Sequence, residues 1–303
     1  MKKKFMSLMV AGAMALSLAG CKGGAATSTA AAGAEAESGA EKGTETAAGQ
    51  DEEESQGKGE DLEATGGGEA GGTFIVGFDQ DFPPMGFVGD DGEYTGFDLE
   101  LAEEAANRLG LEFVPQPIAW DAKDMELVSG TIDCIWNGFT MNGREDNYTW
   151  SQPYMDNSQV FVVAADSGIN TLADLAGKAV EVQADSSAEA ALKDNAELSG
   201  SFGALQTTPD YNTAFMDLEM GAVDAIAMDV IVAGYQIEQR GAQDTYKILD
   251  ETLASEEYGV GFLKGNEDLR DKVQEALEEM AADGTMKAIS EKWFGRDVTT
   301  IGK

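Results

Sequence analysis

The sequence predicts an α/β protein with largely parallel sheets, and two observations carry that prediction. From Thr73 onward, short β-rich runs alternate with amphipathic runs of helical period. A near-repeat also recurs: Gly130-Thr-Ile-Asp-Cys-Ile135 and Gly221-Ala-Val-Asp-Ala-Ile226 share the pattern G-x-[IV]-D-[CA]-I. Each copy follows an expected helix and opens a buried strand, so each is expected at the same place in one of two similar lobes.

Taken in order, Thr73–Phe78 reads as a strand, and Phe97–Leu109 as an amphipathic helix started near Asp98 and stopped by Gly110. Leu111–Ile118 is a strand, Asp121–Val128 a helix ending at Gly130, Thr131–Trp136 a buried strand and Val160–Ala165 another. Beyond them come helical Leu172–Leu175, strand Ala179–Gln183, helices Ser187–Asn195 and Asp210–Met220, strand Val223–Met228 and helix Val230–Gln239. Tyr246–Leu249 and strand Tyr258–Leu263 lead into two last helices, Glu267–Ala282 and Met286–Phe294.

The chain does not begin as fold. Met1–Lys4 is basic, Phe5–Leu16 apolar, and Leu18-Ala19-Gly20-Cys21 follows. A charged start, a short apolar core and small residues before a cut make a secretory signal over 1–20, too short to span a bilayer. Cys21 sits where a lipoprotein signal needs its thiol, so a lipid-modified (palmitate-bearing) N-terminus is expected; with two or more acyl chains such an anchor is stable. Residues 21–71 hold that cysteine and a linker of Ala, Gly, Ser, Thr and Glu with the acidic run Asp51–Glu54. So few large apolar side chains cannot offset chain entropy, and disorder is expected there. About fifty such residues have an r.m.s. reach of roughly 40 Å.

Charge narrows the function classes. The formal net charge is −36 with no histidine, which argues against nucleic acid and against docking on anionic lipid. Cys134 is the only other cysteine; an exported chain with one remaining thiol has no internal disulfide framework, and a small buried apolar role is expected. Without histidine or a Cys/His cluster there is no sign of catalysis, cofactor or metal.

Ligands in open α/β sheets sit beyond the carboxyl ends of strands. There the first repeat delivers Asn137, Gly138, Thr140 and Arg144, and the second delivers Asp229. A guanidinium facing a carboxylate suits a zwitterion: Arg144 forms a forked contact with a carboxylate, and Asp229 takes an ammonium. Asp229 reads equally well as the N-cap of the following helix. Gly138 admits close backbone approach and Thr140 adds a hydroxyl. Gln183-Ala-Asp-Ser-Ser187 leads a strand into a helix, whose first amides suit an anion. Pro83-Pro84 stiffens the loop carrying Asp79 and Phe82; Phe82 and Trp120 read as pocket walls or as plain core.

All of these residues except Trp120 sit within the motifs FDQDFPPMGF, YTGFDLELA, VSGTIDCIWNGFT with its following arginine, VQADSSAEAAL, AVDAIAMD and ADGTMKAISEKWFG. In that order, from Gly72 to the C-terminus, the chain resembles the polar amino-acid-binding proteins of ABC importers, the type-3 solute-binding family. Its N-terminus resembles their Gram-positive lipoprotein form. The resemblance implies a clamshell of two lobes, the first from 72–161 and 258–303 and the second from 162–257. Two hinge crossings are implied, near Gln159–Val163 and Glu256–Gly261.

Position by position, the resemblance implies that Arg144 binds a ligand α-carboxylate and Asp229 its α-ammonium, with Gly138 and Thr140 adding contacts. Ser186 and Ser187 would meet the carboxylate from the second lobe. Phe82 and Trp120 would flank the side chain, Asp79 reach its polar end, and Asn137 and Gln183 line the pocket. It further implies a non-enzymatic monomer on the outer face of the cell membrane, delivering a polar or basic L-amino acid to a permease. A lyase of the cyclohexadienyl dehydratase kind, built on the same clamshell, is the alternative. The sequence departs from the family at two places. Thr140 to Arg144 is one residue shorter than in many relatives. Asp185 stands where many carry glycine and, with Asp79 and Asp81, would favour a cationic side chain, although an acid at Asp79 also suits amide-bearing ligands.

Overall fold

The computed structural model describes residues 72–303, so the expected signal, lipidated Cys21 and linker lie outside the described residues. In chain order the first part holds β1 (Thr73–Phe78), β2 (Asp81–Phe82), β3 (Gly86–Val88), β4 (Tyr94–Thr95), α1 (Phe97–Leu109), β5 (Glu112–Pro117) and α2 (Lys123–Ser129). It closes with β6 (Cys134–Ile135), β7 (Thr149–Trp150) and the long β8 (Met155–Ala164). The middle holds β9 (Ala179–Gln183), α3 (Ser187–Asp194), α4 (Ala196–Ser199), β10 (Ala204–Thr208), α5 (Tyr211–Met220), β11 (Ala225–Asp229) and α6 (Val230–Gln239). After it come β12 (Tyr246–Ile248), β13 (Ala254–Tyr258), β14 (Gly261–Phe262), α7 (Glu267–Asp283) and α8 (Thr285–Phe294).

Two main sheets define two lobes. The first has the order β5-β1-β6-β14-β7 and the second β10-β9-β11-β8-β12, with β13 added along β8; β2-β3-β4 forms a small third sheet. The fold is α/β as expected, but both main sheets are mixed. β5, β1 and β6 run parallel, as do β10, β9 and β11. β14 then joins β6 and β7 antiparallel, and β8 joins β11, β12 and β13 antiparallel. The reason is topological: strands that carry the chain between lobes enter each sheet from the opposite end.

The repeat does the same backbone work twice. Gly130 and Gly221 close α2 and α5 in the left-handed region, at φ 74° and 71°, each donating to carbonyls of the last turn. Asp133 then accepts from the Ile75 amide of β1 at 2.7 Å, and Asp224 from the Ala179 amide of β9 at 2.9 Å. Each aspartate thereby fixes the register of a strand beside its neighbour. Beyond it, side chains alternate between faces. Ala225 and Ala227 pack with Phe161, Val163, Val180 and Val182, whereas Ile226 and Met228 face the core that also holds Val160 and Val162. A sheet covered on both faces reads as a continuous apolar run, which is what this strand's sequence is.

The crossings fall at one end of an antiparallel ribbon. β8 and β13 pair from Met155↔Tyr258 to Ala254↔Gln159, and Val160–Val163 pair with β11 inside the second sheet. The chain therefore leaves the first sheet at residues 151–154, earlier than the expected Gln159–Val163, and re-enters through residues 259–260, within the expected Glu256–Gly261. A strand hydrogen-bonded on both edges is too stiff to serve as a hinge along its middle.

Candidate ligand-binding site

Beyond β6 the chain turns through Asn137, Gly138 and Thr140, and a buried acid holds that turn. Asp98, expected only as a helix start, sits inside α1's first turn while Gly96 occupies the cap position. The Asp98 carboxylate instead accepts from the Gly138 amide at 2.6 Å and from the Tyr154 hydroxyl at 2.8 Å. Burial pushes the Asp98 carboxyl up to about 7, against the lowering pull of those two donors. Gly138 has φ 55°, and a Cβ there would meet Phe82 at 3.0 Å and Tyr258 at 3.2 Å, so only glycine fits. The shortened segment to Arg144 is a tight turn, Arg144 N to Met141 O at 2.9 Å. It brings the guanidinium back over the Phe139 ring, 5.3 Å from its centroid, with Nη1 3.3 Å from the Thr140 carbonyl.

From the other lobe, β9 delivers Gln183, and α3 opens with Ser186 as its cap, Oγ accepting from Glu189 N at 3.1 Å. β11 delivers Asp229. It occupies the cap position of α6, yet its side chain caps nothing there. Its Oδ1 accepts from Asn157 Nδ2 at 2.7 Å, from Gln159 Nε2 at 2.8 Å and from the Tyr258 hydroxyl. Burial first, and then the neighbouring Glu256 carboxylate, push the Asp229 carboxyl well above the usual range.

These elements meet around a small cavity lined by Phe82, Trp120, Asn137, Gly138, Thr140, Arg144, Gln183, Ser186, Ser187 and Asp229. Arg144 and Asp229 are the only charged residues of that lining. Phe82 and Trp120 are wall and core at once: Phe82 leans on Tyr211 of the second lobe with centroids 6.0 Å apart, and Trp120 stands edge-on to Phe139 at 5.6 Å. Asp79 is the one candidate outside that lining. Its carboxylate accepts from Asp81 N at 2.9 Å and from Gln183 Nε2 at 2.6 Å, and burial raises it to about 6. It faces a second, open recess bordered also by Asp81, Asp121, Asp210 and the shared wall Trp120.

The lobes are shut on each other. Gln183–Asp79 crosses the cleft, as do Asn212 Nδ2 to Asp81 at 2.8 Å and the ring pair Phe87–Tyr235 at 5.8 Å. Asp185 adds a latch: Lys123 of the first lobe donates to its carboxylate and, at 3.3 Å, to its carbonyl. Asp185 has φ 58°, a left-handed backbone that glycine adopts without strain and other residues rarely take. Because Lys123 already neutralises it, Asp185 is not free to select a cationic ligand, contrary to the expectation from sequence. Lys123, Asn157, Gln159, Glu256 and Tyr258 all escape the sequence reading. The signal for the last four is polar residues spaced by two within strands, Asn157/Gln159 and Glu256/Tyr258, which places each pair on one face.

Residues 74–296 match the model of the bacterial extracellular solute-binding proteins, family 3. The chain belongs to that family. It is 38% identical over 231 residues to the L-cystine-binding protein TcyJ of Escherichia coli strain K12, covering 75% of this chain and 85% of that one. A substrate-binding protein of an ABC uptake transporter from Streptococcus pneumoniae, solved with bound histidine, superposes with a TM-score of 0.73 at 38% identity, covering 75% of this chain and 94% of that one. An ancestral arginine-binding protein bound to arginine gives a TM-score of 0.68 at 38% identity, over 74% of this chain and 99% of that one. These relatives are named for solute binding, and the neighbour nearest the lyase alternative, an ancestral amino-acid-binding protein described as a precursor of cyclohexadienyl dehydratase, is itself named for amino-acid binding (31% identity, TM-score 0.67, 74% of this chain and 96% of that one). Among the described residues no helix is long and apolar enough to cross a membrane, and no cluster of His, Cys, Asp and Glu could hold a metal.

Proposed function

We propose that the chain captures a polar L-amino acid between its lobes outside the cytoplasm and presents the closed form to the permease of an ABC importer. The observation that carries this reading is a cavity walled by both lobes whose only charged lining groups are one cation, Arg144, and one anion, Asp229. One zwitterion neutralises both. Arg144 takes the α-carboxylate, helped by Thr140, Ser186, Ser187 and the first amides of α3; Asp229 takes the α-ammonium. Phe82 and Trp120 flank the side chain, with Asn137, Gly138 and Gln183 completing the wall. Closure is a population shift, because the ligand reaches both lobes only when they are shut.

The relatives named for cystine, histidine and arginine, together with the acid-edged recess beyond Trp120, support a ligand whose side chain ends in a second cation or amide. Asp79 meets that end once the ligand replaces Gln183 on its carboxylate. A thermal-shift screen with L-cystine, L-arginine, L-histidine and L-glutamine tests the reading. A ligand at a hundred times its Kd stabilises the folded form by about 2.7 kcal/mol, a shift readily seen. A screen in which no amino acid moves the melting temperature refutes it.

The chain is further read as a lipid-anchored monomer, tethered through Cys21 after removal of the signal. Wild type that incorporates no labelled palmitate would exclude the anchor, label retained in Cys21→Ser would exclude Cys21 as its site, and light scattering checks the monomer.

A further inference from the structure

Behind the ammonium position lies a second buried acid that the zwitterion reading does not use. Glu256, on β13, is 6% exposed and Asp229 3%. Their carboxylates share the same donors: Asn157 Nδ2 lies 2.7 Å from Asp229 Oδ1 and 2.6 Å from Glu256 Oε1, and Gln159 Nε2 lies 2.8 and 2.7 Å from the same two oxygens. Two oxygens bound to the same pair of nitrogens are themselves neighbours. Neither carboxylate forms an ion pair with a lysine or arginine among the described residues. Two like charges so close, buried and without a counter-ion do not both ionise; one proton stays between them.

We infer that Asp229 and Glu256 form a carboxyl pair holding one proton in the ligand-free protein, and that an arriving ligand ammonium displaces it, so that capture releases one proton. This rests on Asp229 being the ammonium anchor. The balance is simple. The free pair carries one negative charge and one proton; the ligand enters as a zwitterion; the proton passes to water, leaving two carboxylates opposite the ammonium. Asn157, Gln159 and the Tyr258 hydroxyl are already aimed at those oxygens, so the second negative charge needs no new donors.

The other groups facing the pair do not supply the proton. Tyr258 on β13 and Tyr211 on α5 are phenols that burial pushes well above their usual range, so both stay neutral at pH 7. Asn157 and Gln159 on β8 and Ser187 on α3 do not titrate in this range. Arg144, reaching over from the β6–β7 turn, is permanently charged. Asp185, Glu189, Lys193 and Asp194 border with Glu256 a wider outer recess, where solvent screens them. Asp79 sits on the far side, held by Gln183.

Calorimetry at pH 7 in phosphate and in Tris, with L-arginine and L-cystine as probes, separates heat of binding from heat of buffer protonation. The expected result is close to one proton released per ligand, with affinity rising up to about tenfold per pH unit where the pair holds its proton. In Glu256→Gln the release falls to near zero and the pH profile flattens. Equal heats in the two buffers, with ligand bound, overturn the inference while leaving the amino-acid reading intact. Should neither probe bind, that reading is what fails, and infrared spectroscopy of the ligand-free protein still decides the pair. A protonated-carboxyl band at pH 7 that Glu256→Gln or Asp229→Asn removes supports it, and unchanged spectra overturn it.

Discussion

Gly130–Ile135 and Gly221–Ile226 perform one structural task and then diverge. In both, a glycine ends a helix, an aspartate ties down one amide in the first half of the neighbouring strand, and a short strand enters the sheet. After that, β6 stops at Ile135 and the chain swings into a turn that Asp98 holds from below, ending in a cation. β11 instead stays in the ladder, Asp229 paired with Gln159 of β8, and ends in an anion. The same local grammar is thus a delivery device, and the residue just past it decides what each lobe brings to the cleft. A loop suits Arg144, whose long side chain must swing onto the ligand, while a rigid strand end suits a carboxylate that must stay buried.

The comparison breaks most visibly at the delivered charges. Arg144→Ala should cost about 3–5 kcal/mol of amino-acid affinity, because the ligand carboxylate is then buried without its counter-charge; near-unchanged affinity by titration calorimetry would unseat Arg144. Asp229→Asn keeps the size and one acceptor but loses the charge, so a smaller loss of about 2–3 kcal/mol is expected in the same experiment.

The buried acids of the first lobe should make stability depend on pH. Asp98, raised to about 7, keeps a proton that the unfolded chain has already released above its ordinary range. Its contribution is therefore full below about pH 4 and disappears as pH climbs through about 7; Asp79, raised to about 6, has the same sign. Moving from pH 7.5 to 5.5 should stabilise the protein by about 2 kcal/mol through Asp98, and Asp98→Asn should flatten that slope in urea melts. A wild-type stability that falls as the pH is lowered over this window would contradict the buried-acid account.

The smallest effects belong to the repeat itself. Asp133→Ala should cost about 1–2 kcal/mol, since it orphans a part-buried amide, and Asp224→Ala about half that, since its carboxylate is 44% exposed and water can substitute. Neither should alter ligand affinity. Equal losses would mean the two lobes use the motif with equal weight.

Much of the fold is legible in the sequence because its signals are local. Ala179–Gln183 and Val230–Gln239 match the expected elements residue for residue, since a β-rich run and an amphipathic run each declare their own period. The strands Ala204–Thr208 and Asp81–Phe82 with its partners were not foreseen: the first is mostly exposed and the second only two residues long, so neither has an apolar alternation to read. At the site, ten of the eleven candidates gather at one cavity, and Asp79 stands one wall beyond, turned away by its own hydrogen bonds to Asp81 and Gln183.

What the sequence determined by itself is the order of the main helices and strands and the residues that follow the two repeat strands, because helix caps and strand periods act over a few neighbours. Only the tertiary structure decided how those residues are used: Asp98 on Gly138, 40 positions apart; Lys123 on Asp185, 62 apart; Asn157 on Glu256, 99 apart. Such pairings arise when separate stretches are buried together, and a carboxylate's partner and proton depend on who shares that burial rather than on who is next in the chain.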